Sequence, residues 1–184
     1  DTALRALAQR PGSLLLAAFR LVGHRLPHVT LTVVGLDRAP QTEPGVSFVG
    51  FQHGERLQKS FAEASVFCMP ALCETWGLVY AEAAHAGLPI VGIRNWAMPD
   101  LVEDDVTGRL IDDQTPDALA EALIEMLSNA ERMLGMGIAA QRRVRDVLDW
   151  PHVVDRILSQ IMPEKLPSLS PVLMTAPISH VSVL

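Results

Sequence analysis

Residues 65–92 read SVFCMPALCETWGLVYAEAAHAGLPIVG, and the order of patterns within them decides the fold. Ser65 to Met69 is an apolar run stopped by Pro70. Gly77 to Ala86 carries helical spacing, Gly87-Leu88-Pro89 turns the chain, and Pro89 to Gly92 is a second short apolar run. Two such runs without polar alternation, joined by a helix, describe parallel strands buried on both faces.

The pattern extends outward in both directions. Upstream, His28 to Gly35 (HVTLTVVG) and Val46 to Gly50 (VSFVG) are β-branched runs closed by glycine, the second preceded by the breakers Pro44 and Gly45. Leu57, Phe61 and Ala64 mark a short amphipathic helix after them. Leu14, Leu15, Ala18, Phe19 and Val22 mark another before them, with Ser13 placed as its N-cap and Pro27 beyond its end. Downstream, Thr107-Gly108 introduces a strand at Arg109 to Ile111, and Asp113 to Asp117 supplies turn and capping residues for a helix over Pro116 to Leu127. Helical spacing continues over Glu131 to Leu148 and again over Pro151 to Ile161. The alternation predicts an α/β domain over residues 1–162, a doubly wound, Rossmann-like parallel sheet with helices on both faces. Residues 163–184 hold Pro163, Pro167, Pro171 and Pro177 without helical period, and read as a linker or tail ending in a strand-like Val181 to Leu184.

One hundred and eighty-four residues fit one domain rather than two. A chain of that length buries about 70% of its unfolded surface, so its core needs no metal or disulfide. Hydrophobic residues make up 49% and charged residues 20%, too apolar a balance for a disordered chain. No window reaches the roughly eighteen uninterrupted apolar residues of a spanning helix. The net charge of −6 argues against sequence-independent capture of nucleic acid. Cys68 and Cys73 are the only cysteines, no His or Cys pair stands at metal spacing, and no Asp-x-Asp occurs. The expectation is a reducing, cytoplasmic location and no metal site. The chain opens on Asp1 rather than Met and carries no leader pattern, which points to a piece of a longer polypeptide.

In an open α/β sheet, ligands gather outside the carboxyl ends of the strands, so the loops after Gly35, Gly50, Pro70 and Gly92 are the candidates. The loop from Pro70 holds Glu74, then Gly77 opening a helix, then Glu82 about one turn inside it. The first N–H groups of a helix lack intrahelical partners and sit at the positive end of its dipole, which suits Gly77, Leu78 and Val79 to a phosphate. Side chains lean toward a helix N-terminus, bringing Glu82 over that mouth, while Glu74 approaches from the preceding loop. Carboxylates are poor phosphate ligands but good acceptors for paired hydroxyls, as on a ribose or sugar ring. The other reading makes Glu74 a helix cap and leaves Glu82 on a solvated face, and spacing alone does not choose between them.

Residues 70–92, PALCETWGLVYAEAAHAGLPIVG, resemble the signature of the retaining family-four glycosyltransferases. That signature sets two glutamates with seven residues between them, within a pattern like P-S-x-x-E-G-F-G-L-x-x-x-E-A-x-A-x-G-x-P-V-V. The likeness runs from about Arg10 to Ile161 through LLLAAFRLV, LTVVG, VSFVG, the signature, MPDLVEDDVTGRLI and DALAEALIEML, and points to the C-terminal, donor-binding domain of a two-domain fold. It implies that Glu74 is the catalytic-site contact to the donor sugar and that Trp76 belongs to the same donor-binding loop. It further implies Gly77 and Leu78 on the diphosphate through their N–H groups, Glu82 on the ribose hydroxyls, and the backbone near Phe51 and Gln52 bordering the base. The donor would be a UDP-, GDP- or ADP-hexose, with no separate cofactor and no metal. Acceptor contacts would come from an N-terminal domain absent from this chain.

The chain departs from that pattern in several places. Ala71 stands for Ser, Thr75 for Gly and Trp76 for Phe, and Asn95-Trp96-Ala97 replaces Gly-Gly before Pro99-Asp100. The family's domain begins with a strand ending in Gly-Arg, then a Lys-Gly pair. Arg10-Pro11 takes the place of Lys-Gly, making Arg10 the candidate cation, but the Gly-Arg strand has no counterpart. The first central strand is therefore missing, which exposes two strand edges. Ser179 to Leu184 resembles the opening strand of the family-two glycosyltransferases and points to such a domain downstream; alternatively Val181 to Leu184 folds back into the vacant slot.

Other features read as decoys. Gly135 to Ala140 (GMGIAA) fits a dinucleotide fingerprint as a string but lies between helices rather than after a strand. His85 lacks a second ligand, and Cys68 and Cys73 read as inert thiols. The pairs Asp104-Asp105 and Asp112-Asp113 read as solvated turns, and Arg142, Arg143 and Arg145 as an exposed basic face whose weaker alternative is contact with the inner membrane surface. The leading expectation is the nucleotide-sugar-binding half of a retaining hexosyltransferase acting on a glycan or lipid-linked acceptor. The alternative is a noncatalytic, regulatory relative within a polysaccharide-synthesis protein. A nucleotide-sugar epimerase is a third reading, and it leaves the Glu74–Glu82 setting unexplained.

Overall fold

The computed structural model describes residues 11–36, 43–71 and 77–162, and the chain divides into two units, Asp1–Leu148 and Asp149–Leu184. The division falls ahead of the last helix, whereas the sequence reading carries one domain through residue 162. In chain order the first unit contains α1 (Pro11–Arg25), β1 (Leu31–Val33), β2 (Val46–Phe48), α2 (Glu55–Glu63), β3 (Phe67–Cys68), α3 (Leu78–His85), β4 (Ile90–Ile93), α4 (Met98–Leu101), β5 (Gly108–Ile111), α5 (Pro116–Leu127) and α6 (Ala130–Arg143), followed by a π-helical turn at Val144–Leu148.

All four residues of β4 are buried. Its neighbours β3 and β5 run parallel to it, with Phe67 opposite Ile90, and Ile90 to Ile93 opposite Gly108 to Ile111. The Ile-Val-Gly-Ile run suits this central place because successive side chains leave opposite faces. Val91 and Ile93 enter a core with Leu14, Phe19 and Val22 of α1 and Leu119, Leu123 and Met126 of α5. Ile90, with Leu110 of β5, enters a second core with Tyr80 and Ala84 of α3, Met98 and Leu101 of α4, and Ala140 of α6. The strands are thus covered on both sides, as a doubly wound domain requires. At Gly108 the strands approach so closely that a Cβ would overlap the carbonyl oxygen of Ile90.

β1 and β2 form a separate parallel pair, Leu31 opposite Val46 and Val33 opposite Phe48. Among the described residues this pair does not join the three-stranded ladder. Leu31 and Val46 pack on the first core, while Thr32 and Ser47 remain exposed. The strand expected over His28 to Gly35 shrinks to Leu31–Val33, because a strand is as long as the neighbour that hydrogen-bonds to it.

Local caps hold two helix starts, whereas Ser13, expected as the N-cap of the first helix, lies inside α1, which already begins at Pro11. Thr115 Oγ1 accepts the Ala118 N–H at 3.2 Å, with Pro116 next in line, and Asn129 Oδ1 accepts the Arg132 N–H at 3.0 Å. The helix expected without a break over Glu131 to Leu148 instead gives way after Arg143 to the π-helical turn. α4, where the sequence reads as irregular, is held by the burial of Met98, 1% exposed, and Leu101.

In the second unit, α7 (Trp150–Ile161) is capped by Asp149, whose carboxylate accepts the Trp150 N–H at 2.8 Å. Trp150, Val153, Val154, Ile157, Leu158 and Ile161 share one apolar stripe. No described helix is long and apolar enough to cross a membrane.

Candidate functional site

The loop after β3 is gripped where it begins. The Met69 carbonyl accepts the Tyr80 hydroxyl at 2.5 Å, and the Ala71 carbonyl accepts the Asn95 side-chain amide at 3.1 Å. Tyr80 is 1% exposed and meets Phe67 edge-on, with ring centres 5.5 Å apart. Glu74 and Trp76 fall among residues 72–76, and Arg10 among residues 1–10, both outside the described residues.

Gly77 precedes α3 with φ 49 and ψ 62, the left-handed conformation that glycine adopts without steric cost. No side chain caps this helix, and among the described residues the Leu78 and Val79 N–H groups have no hydrogen-bond partner. Tyr80, Ala83 and Ala84 anchor α3 in the core. Leu78, 67% exposed, shares the opposite face with Glu82 and His85, each about one turn further on. Among the described residues the Glu82 carboxylate has no hydrogen bond or ion pair. Exposure is common to both readings of Glu82, so the structure keeps a diol-binding role open without assigning it.

The second group of expected residues follows β2. Gly50 is buried and tied to the loop after β1: Gly35 N–H donates to Gly50 O at 2.7 Å and Gly50 N–H to Leu36 O at 3.1 Å. The chain then opens into a hollow of about 400 Å³ lined by Phe51, Gln52, His53, Gly54, Glu55 and Arg56. Phe51 is 79% exposed, and Gln52 Oε1 accepts the Ser60 hydroxyl at 2.5 Å, which orients its amide. Apolar packing connects this region to the mouth of α3: Phe61 of α2, Ala83 of α3 and Leu88 share one core, with Leu57 and Val79 packed against it. A second crevice, between Arg109, Glu125 and Arg132, holds only about 10 Å³, room for one water.

Beyond β4 and β5 the charges are organised rather than solvated. Arg94 pairs with Asp104 and, at 2.9 Å, with Asp112, while Asp104 also accepts the Leu110 N–H at 2.9 Å. Burial pushes the Asp104 carboxyl up, but the Leu110 N–H and the guanidiniums of Arg94 and Arg109 outweigh it and hold it below its ordinary range. The expected solvated turn is therefore corrected at Asp104, because the strand end needs an acceptor there. Arg143 is corrected likewise: half-buried, it donates to the carbonyls of Asp100 at 2.8 Å and Leu101 at 3.3 Å, satisfying the end of α4.

The decoys resolve physically. Gly135 and Gly137 lie within α6, and a Cβ at Gly137 would overlap the Gly87 carbonyl, so this glycine serves close packing of helix on turn. Burial pushes the Cys68 thiol up to about 12, an unreactive state. Among the described residues no cluster of three His, Cys, Asp or Glu is placed to hold a metal. The contact of Asn95 with the Ala71 carbonyl is not readable from sequence, where only the replacement of Gly-Gly by Asn95-Trp96-Ala97 marks the position.

The family model described as "Glycosyl transferases group 1" matches residues 6–129. The GDP-mannose-dependent alpha-(1-6)-phosphatidylinositol monomannoside mannosyltransferase of Mycolicibacterium smegmatis is 30% identical over 165 residues, covering 80% of this chain and 43% of that protein. The chain thus spans less than half the length of that curated relative. Among solved structures, Anabaena HepE in complex with UDP and glucose superposes with TM-score 0.66 at 19% identity, over 79% of this chain and 43% of HepE. The C-terminal domain of the glycosyl transferase group 1 family protein LpcC from Francisella tularensis gives TM-score 0.62 at 17% identity, over 76% of this chain and 80% of that domain. At such identities the structures establish the fold, and the family match establishes kinship: this chain belongs to the glycosyl transferases group 1 family.

Proposed function

We propose that this chain binds the nucleotide-sugar donor of a retaining hexosyltransferase. The carrying observation is the mouth of α3, where Gly77 leads into two amides without described partners and Glu82 stands exposed about one turn inside. The diphosphate lies on the Leu78 and Val79 amides with Arg10 as countercharge, the ribose on Glu82, the sugar on Glu74, and the base in the hollow at Phe51 and Gln52. A UDP-, GDP- or ADP-hexose fits this division. The GDP-mannose dependence of one relative and the UDP and glucose held by one structural neighbour support the donor class.

Cleavage at the anomeric carbon builds negative charge on the departing diphosphate, and fixed N–H donors lower that barrier without a metal. The departing phosphate takes the acceptor proton on the same face, so anomeric configuration is kept. The acceptor, a glycan or lipid-linked sugar, is held by a further domain, and the reaction runs on the cytoplasmic side. In calorimetry with UDP, GDP and ADP, one nucleotide binds saturably and Glu82→Ala weakens it by about tenfold or more, the loss of a charge-assisted hydrogen bond. Equal affinity in both proteins removes the ribose role. The lack of a counterpart to the Gly-Arg strand in the sequence favours one second reading, a noncatalytic relative, and that reading gains if the full protein binds no nucleotide.

A further inference from the structure

The loop between β4 and α4 carries an arrangement that the donor site leaves unexplained. Trp96 is 67% exposed and has φ 44, in the left-handed region that bulky side chains avoid. No core burial of the indole offsets that conformation. The backbone is instead held from both sides. Arg94 N–H donates to Ile111 O at 2.8 Å while its side chain pairs with Asp104 and Asp112. Asn95 N–H donates to Ile93 O at 2.9 Å, and Met98 N–H returns to Asn95 O at 3.0 Å. Met98 itself is buried, close to Gly92. Strained residues persist only where their surroundings over-determine them, and they gather at ligand clamps and switch regions.

The position of the clamp narrows the ligand. The Asn95 side-chain amide donates to the carbonyl of Ala71 at 3.1 Å, so the turn that carries Trp96 is tied to the described end of the segment after β3. A rigid indole offers a large contact area at low entropic cost. What it recognises in a glycosyltransferase is the apolar C–H face of a hexopyranose. We infer that Trp96, on the turn tied to Ala71, is a stacking platform for a hexopyranose ring, a specificity element that rests on the donor-binding reading above.

The ring comes from the donor's hexose or from an acceptor glycan, and the experiment separates them. The full chain is titrated with the nucleoside diphosphate, the matching nucleotide hexose, and a hexose oligosaccharide without nucleotide, followed by calorimetry and saturation-transfer NMR. The proteins are wild type, Trp96→Gly and Trp96→Phe. Trp96→Gly weakens the nucleotide hexose about tenfold if the donor ring stacks, or the oligosaccharide about tenfold if the acceptor ring stacks. Trp96→Phe retains most of the affinity, and diphosphate binding is unchanged in both variants. Because glycine relieves the left-handed strain, Trp96→Gly melts about 2–4 °C higher than wild type, which separates lost recognition from lost folding. Sugar affinities equal to wild type in Trp96→Gly, or no sugar binding by wild type while the diphosphate binds, overturn the platform alone. Failure of the diphosphate to bind overturns the donor reading; an oligosaccharide still lost on Trp96→Gly then keeps the platform.

Discussion

The three-stranded and two-stranded parts of the sheet are built from similar apolar runs and held very differently. β4 has a paired neighbour on each side and a core on each face. β1 is a three-residue strand with one described neighbour, one side on the core and Thr32 in water. A β-branched run is stable as a strand in proportion to what pairs with it and covers it. The proposed site is therefore mounted unequally: the diphosphate end rests on the three-stranded part, and the base end on the loop after the two-stranded part.

The widest gap between the two parts is expected at Gly108. Gly108→Val drives a side chain into the Ile90 carbonyl, which no rotamer change relieves, and should cost roughly 3–5 kcal/mol in urea unfolding. A loss below about 1 kcal/mol breaks the picture of a rigid β4–β5 ladder. A matched pair of truncations sharpens the contrast. Ile93→Ala, at a site 1% exposed, should cost about 3 kcal/mol, and Val33→Ala on half-buried β1 about 1 kcal/mol. Equal costs would mean that β1 is covered as well as β4 is.

The smallest effect is electrostatic and depends on pH. Asp104 ionises more readily folded than unfolded, so its contribution is complete well above its ordinary value of 3.8 and disappears as pH falls through the lower folded value. Asp104→Asn should lower stability by about 1 kcal/mol at pH 7, a gap that narrows below pH 3.8. Glu43, held low by its hydrogen bond to Arg20 on the exposed two-stranded side, should move the acid limb less on change to Gln. Urea unfolding at a series of pH values reads both.

Much of this was legible from residues. α3, α5 and the capping residue Thr115 announce themselves because helices satisfy their backbone locally and periodicity reports the buried face. The doubly wound class follows from alternation alone, and the signature spacing marked Gly77 and Glu82 before any coordinate. α4 was not legible, since four residues carry no period and burial of Met98 defines them. Nor was the work of Arg143, which looks like surface charge until the carbonyls of Asp100 and Leu101 come within reach.

By itself the sequence determined which segments are helices, which apolar runs lie within a sheet, and which helix end is the candidate for an anion, because these depend on neighbours three or four positions away. Only the tertiary structure decided how far each described strand extends, which strands pair in β1–β2 and in β3–β4–β5, and that Trp96 is held strained and exposed on the turn tied to Ala71. Those outcomes depend on partners brought together from distant parts of the chain, and no local pattern encodes the presence or absence of a partner.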